Sequence, residues 1–118
     1  MVIMKKIVRG AMFYVDLEVG VGSEQKGFRP VVILQNDIGN RFSPTTLVAP
    51  ISTKEYKGKK MPTHVEVKQF NKLRPNSIIM LEQIRVIDKS RLKGYLGILD
   101  QEQMREVERA ISISFGLR

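Results

Sequence analysis

Arg29 is the first residue whose type and setting suggest chemistry. It stands where a polar loop flanked by glycines, Gly22-Ser23-Glu24-Gln25-Lys26-Gly27, runs into the apolar stretch Phe28-Arg29-Pro30-Val31-Val32-Ile33-Leu34. An arginine at the head of so apolar a strand must bring its guanidinium out at a mouth or meet an anion. A snorkelling surface cation is the plain alternative. The next candidates are the hydroxyls of Ser52 and Thr53, at the end of the stretch 44–53. If 28–36 and 44–53 are antiparallel neighbours, Asn36 stands near Pro44 and Arg29 lies opposite about Ile51, beside both hydroxyls. A guanidinium, two hydroxyls and the Glu24 and Gln25 side chains then share one end of a sheet. Planar N–H donors match phosphate oxygens, so the set suits a phosphodiester. An ordinary strand end with polar caps is the competing account.

Strands must position these groups. Residues 10–17 read as a first strand, with Met12 and Tyr14 on one side and Phe13 and Val15 on the other. The loop 18–27 and core strand 28–36 follow, and then 37–43 reads as a turn, with Asn36-Asp37 and Gly39-Asn40 as breakers. In the strand 44–53, Pro50 has no N–H to donate, which predicts an edge position or a bulge. Residues 54–61 form a basic, glycine-containing loop, and 63–67 a short alternating strand. The longest apolar strand is 77–88, followed by one helical turn at 89–93 and a short strand at 95–99. Asp100 is a good N-cap with Gln103 at the reciprocal capping position. Met104, Val107, Ile111 and Phe115 continue at helical spacing to a stop at Gly116. The expected fold is mainly β (α+β), a small SH3-like β-barrel with a docked C-terminal helix, as a single domain over 1–118.

Composition narrows the chemistry. With no cysteine and a single histidine, thiolate nucleophiles, cysteine metal sites and multi-histidine centres are excluded, and a Ser-His-Asp arrangement is disfavoured. No apolar run approaches the ~20 residues that span a bilayer, and no signal-peptide pattern opens the chain, so a cytoplasmic protein without a membrane role is expected. The net charge of +8 favours an anionic partner such as nucleic acid or an acidic protein. A generically solubilising surface is the alternative.

Several motifs occur together and in order: Gly22-Ser23-Glu24-Gln25, Arg29-Pro30-Val31, Gln35-Asn36-Asp37, Ser43-Pro44-Thr45, Pro62-Thr63-His64-Val65-Glu66 and Leu81-Glu82-Gln83-Ile84-Arg85. On these the chain resembles the MazF/PemK toxins over about residues 8–115, and within them the Gram-positive MazF (EndoA) type. The resemblance implies a homodimer of SH3-like barrels that cleaves single-stranded RNA at short sequence motifs without metal or cofactor. The products it implies are a 2′,3′-cyclic phosphate and a 5′-hydroxyl. It also implies a cognate acidic, MazE-like antitoxin. The family's catalytic arginine maps to Arg29 and its catalytic threonine to Ser52, where serine replaces threonine and a threonine, Thr53, comes one place later.

RNA brings its own nucleophile, the 2′-hydroxyl, so the enzyme must position it, accept its proton and stabilise a crowded dianionic transition state. Arg29 suits the last task. Ser52 donates to a non-bridging oxygen, with Thr53 its rival or a substrate contact, and Glu24 is a base, a clamp or a solvated carboxylate. Gln25 belongs with the substrate contacts. His64 either touches a base or phosphate or is structural. On 77–88 an otherwise buried Glu82 predicts an ion pair with an arginine, while Gln83 is a candidate base reader. Phe42 and Tyr56 either stack on bases or fill apolar gaps. Two rivals stand beside this reading. One is a metal-dependent nuclease using Glu66-Val67-Lys68 with Asp37; the other is a non-catalytic SH3-like RNA-binding or regulatory module.

Overall fold

The computed structural model describes residues 7–52, 61–68 and 72–117. Its strands are β1 (Ala11–Asp16), β2 (Phe28–Ile33), β3 (Thr45–Ser52), β4 (His64–Glu66), β5 (Ile78–Met80), β6 (Arg85–Asp88) and β7 (Leu92–Ile98). The helices are α1 (Asp37–Phe42) and α2 (Gln101–Phe115). The seven strands form one sheet in the order β4-β5-β3-β2-β1-β7, with β6 also paired to β3, and every pairing is antiparallel. The mainly β fold with a C-terminal helix matches the expectation, but the ring does not close. Among the described residues β4 and β7 stand at opposite ends of the strand order with no pairing between them.

Strand alternation sorts the apolar side chains onto two faces. Met12, Val32, Ala49, Ile51 and Ile79 gather on the face that α2 covers with Val107 and Ala110. Phe13, Val15, Val31, Ile33 and Val48 gather on the other, with Ile87. Each such buried aliphatic side chain stabilises the fold by about 1.5–3 kcal/mol relative to leaving it exposed. Helix α2 starts where expected, the Asp100 carboxylate accepting from the Gln103 N–H at 2.8 Å, and ends at Gly116 in the left-handed region with φ 70°. The reciprocal half of the capping box is not made. Gln103 instead donates to the Glu66 carbonyl at 3.0 Å and accepts from the Lys68 N–H at 3.1 Å. Strand β4 is a sheet edge whose backbone groups would otherwise lack partners, and the buried amide supplies them. The stripe stops short of Phe115, which is exposed.

The stretch 37–43 is a helix rather than a turn. Asn36 is its N-cap, accepting from the Gly39 N–H at 2.8 Å. Asn40 is buried, bonded to the Gln35 carbonyl at 2.8 Å and to the Thr46 hydroxyl at 2.8 Å. The presumed breakers therefore act as a cap and a core tether.

The apolar run 77–88 is not one strand. A 3-10 turn, Leu81–Gln83, separates β5 from β6. The reason lies in β3, which pairs with β6 over Thr45–Val48 and with β5 over Ile51–Ser52. Leu81 stays buried in the step between them. That step also explains Pro50, which is neither on an edge strand nor in a bulge. Leu34 N–H donates to Leu47 O at 2.8 Å, so by alternation the Val31–Pro50 pair of the β2–β3 ladder exchanges no hydrogen bonds. The proline nitrogen thus faces the other side of β3, where the partner changes and no donor is required.

Candidate active site

Arg29 is held at the junction expected for it. The loop 18–27 closes at its neck, with Leu17 N–H donating to Gly27 O and Gly27 N–H donating to Glu18 O, both at 2.9 Å. Gly27, at φ 79°, turns the chain into β2. Arg29 then pairs with Val15 of β1 and donates from Nε to the Lys26 carbonyl at 2.6 Å. The guanidinium is half-buried, and its remaining N–H groups meet no partner among the described residues. The β2–β3 ladder runs through Val31–Pro50, one residue further along β3 than a regular turn after Asn36 assumes. Continued by two residues, it sets Arg29 opposite Ser52, on the face that carries Val31 and Val48. Ser52 itself is 1% exposed, a hydroxyl beneath the surface. Thr53, Tyr56 and the basic loop 54–60 lie outside the described residues.

A cleft of about 600 Å³ is lined by Glu24, Gln25, Pro50, Glu82, Gln83 and Arg85 among others; it reaches this strand end through Pro50, and Arg29 and Ser52 are not among its lining residues. Glu24 is exposed and folded back on its own loop, Oε1 accepting from the Val21 N–H at 2.7 Å. Gln25 presents a buried Oε1 with no hydrogen-bond partner. Gln83 uses both ends of its amide on the loop, accepting from the Gln25 N–H at 2.7 Å and donating to the Ser23 carbonyl at 3.1 Å.

Among the described residues Glu82 is not paired with an arginine. Its Oε1 accepts from the Thr63 hydroxyl and its Oε2 meets His64 Nε2, each at 2.9 Å. His64 is buried, with Nδ1 accepting from the Met61 N–H at 3.2 Å. That acceptor role places the ring proton on Nε2, facing the carboxylate. His64 is thus joined to the cleft-lining Glu82. This linked carboxylate was not legible as such in the sequence, because Thr63-His64 and Glu82 meet only when β4 pairs with β5.

Phe42 ends α1, at the opposite end of β2 from Arg29, with the Arg41 guanidinium 5.4 Å over its ring. The exposed aromatic nearest Arg29 in the chain is Phe28, stacked on Tyr14 with ring centroids 5.0 Å apart. Its one sequence signal was its place between the loop glycine and the arginine. Among the described residues no three His, Asp or Glu side chains come together in a group able to hold a metal ion; of the residues invoked for a metal-dependent nuclease, Glu66 lies on β4 and Asp37 opens α1.

Comparison with known proteins follows the same lines. Residues 8–115 match the family model of the PemK-like, MazF-like toxin of type II toxin–antitoxin systems. The Endoribonuclease MazF of Staphylococcus saprophyticus is 52% identical over 110 residues, covering 92% of this chain and 91% of that protein. Among solved structures, MazF from Deinococcus radiodurans superposes with a TM-score of 0.80 at 18% identity, over 97% of this chain and 100% of that one. A mycobacterial endoribonuclease in complex with its cognate antitoxin superposes at 0.77 and 23% identity, over 94% of this chain and 96% of that one. At such identities the structural matches speak for the fold. The family model over nearly the whole length and the half-identical relative go further: this chain belongs to the PemK-like, MazF-like toxins of type II toxin–antitoxin systems.

Proposed function

We propose that the chain is the endoribonuclease toxin of a toxin–antitoxin pair, cutting single-stranded RNA at short sequence motifs without a metal ion, in the cytoplasm. The observation that supports the site is a half-buried guanidinium at the strand end shared with Ser52, directly after the loop whose Glu24 and Gln25 line the cleft with Pro50. The 2′-oxygen of the nucleotide before the cut attacks the adjacent phosphorus, and the P–O5′ bond breaks. A 2′,3′-cyclic phosphate and a 5′-hydroxyl result. The 2′ proton passes to a base, for which Glu24 is the loop carboxylate that lines the cleft, and O5′ takes a proton from water at this open site. Arg29 keeps its protons and stabilises the charge on the non-bridging oxygens. Ser52 serves from beneath the surface, with Thr53 as its neighbour and rival.

Two copies related by a dyad extend one short surface into a continuous groove, and a net charge of +8 suits both RNA and an acidic antitoxin segment ordered on binding. The test is the single-turnover cleavage rate on one RNA, in excess chelator. Arg29→Ala removes a preorganised charge-assisted donor set, a loss on the order of 3–4 kcal/mol, or roughly a hundredfold to a thousandfold in rate. Arg29→Lys rescues poorly, because an ammonium lacks the two-pronged geometry. Ser52→Ala and Thr53→Ala, compared with Ser52→Thr, identify the acting hydroxyl. A folded Arg29→Ala protein cutting at the wild-type rate overturns the assignment, and intact RNA after long incubation with the wild type favours a binding module.

A further inference from the structure

The 3-10 turn that interrupts the run 77–88 places two polar side chains side by side with different attachments. Glu82 is tied to β4 through Thr63 and His64. Gln83 is tied to the loop 18–27 at two points, Ser23 O and Gln25 N–H. These two backbone groups flank Glu24 on either side. The orientation of the amide is set by its partners, since an N–H can only donate and a carbonyl can only accept.

We infer that Gln83 is a positioning residue for the proposed cleavage, holding the Glu24 peptide in register with the strand end, rather than a reader of RNA bases. Three observations carry this. Both polar ends of Gln83 are already bonded to backbone, so reading a base edge would require giving up those bonds. The loop has few other restraints above its neck. Beside the neck, Arg29 Nε holds the Lys26 carbonyl at 2.6 Å; further up, the turn of Val21 and Glu24 is closed by Glu24 N–H donating to Val21 O at 3.1 Å and Glu24 Oε1 accepting from Val21 N–H. That turn fixes the loop's own shape and does not tie it to the sheet. The loop tip is otherwise solvent-facing, with Val19 and Val21 more than four-fifths exposed. The amide of Gln83 thus acts as a neighbouring strand's peptide group would, one donor and one acceptor on either side of the residue it steadies.

The inference rests on the proposed active site, because it assigns value to where Glu24 sits. A displacement on the order of 1 Å at a reacting group costs about a hundredfold in rate. Gln83→Met keeps the length of the side chain and removes both hydrogen bonds. The expected result is a tenfold to hundredfold lower single-turnover rate at saturating RNA, less than a threefold change in half-saturating RNA concentration, and an unchanged cleavage motif. Gln83→Glu keeps the acceptor for the Gln25 N–H and loses the donor, so its Gln25 amide stays protected from hydrogen exchange while that of Gln83→Met does not.

The wild type supplies a test that needs no variant to fold: its Gln25 amide exchanges more slowly than that of Gly22, at the loop tip. A Gln25 amide as unprotected as Gly22 overturns the clamp. So does a Gln83→Met protein that keeps its rate at saturating RNA but changes the base it prefers at one position. If Arg29→Ala is inactive and Gln83→Met cuts like wild type, only this inference fails. If Arg29→Ala retains the wild-type rate, the active-site reading fails first.

Discussion

Replacing His64 with leucine should destabilise the protein while leaving its RNA preference unchanged. The side chain is fully buried and joins two segments, accepting from the Met61 N–H at 3.2 Å and facing the Glu82 carboxylate at 2.9 Å. Leucine fills similar space, so the cavity term is small and the loss falls on the polar bonds. A hydrogen bond to a charged group contributes about 1.5–3 kcal/mol, and a neutral one about 1 kcal/mol. The Glu82 side chain is 25% exposed, so water replaces part of what it loses and the lower half of the range applies. The expected loss is about 2–3 kcal/mol, which for a domain of this length corresponds to a fall in Tm of about 6–15 °C. Thermal and urea unfolding followed by circular dichroism measure it. A double-mutant cycle with Glu82→Met should show that the two losses do not add, with at least about 1 kcal/mol of coupling. A His64→Leu protein as stable as wild type but binding RNA more weakly would refute the reasoning and make His64 a direct substrate contact.

The assembly is tested by light scattering at micromolar concentration, where a dimer is expected; a fully active monomer contradicts it. The same dimer should bind antitoxin and a non-cleavable RNA competitively, and simultaneous binding without mutual weakening rules out a shared groove. Asp88 N-caps the turn Lys89–Arg91, and the Ser90 hydroxyl and N–H hold its carboxyl below the ordinary value of 3.8. With the folded value depressed, its contribution to stability is present above the unfolded value and is lost as pH falls through the folded one. An NMR titration should place its midpoint below 3.8, and Ser90→Ala should move it upward; a midpoint unmoved by that change would show that Ser90 is not the cause.

Local signals carried much of this protein in the sequence itself. The glycine-flanked loop before an apolar strand placed Arg29 at the junction of loop and strand, because an apolar strand buries itself and a guanidinium does not. The alternation at Met12, Phe13, Tyr14 and Val15 sorted two faces correctly, and Asp100 and Gly116 bounded α2, since caps are set by adjacent residues. Where a residue's partner comes from a distant part of the chain, sequence alone left the outcome open. The run 77–88 reads as one strand because all its apolar positions are buried, yet it is broken by the step β3 makes between two partners. Asn36-Asp37 and Gly39-Asn40 look like turn residues, yet Thr46 of the neighbouring strand satisfies Asn40 and lets a helix form. Glu82 was expected to meet an arginine and meets His64, and Gln83, a candidate base reader, is bonded to a loop 58 residues away in the chain. Each turns on cross-strand register, which depends on burying both faces of the sheet together rather than on any one residue's neighbours.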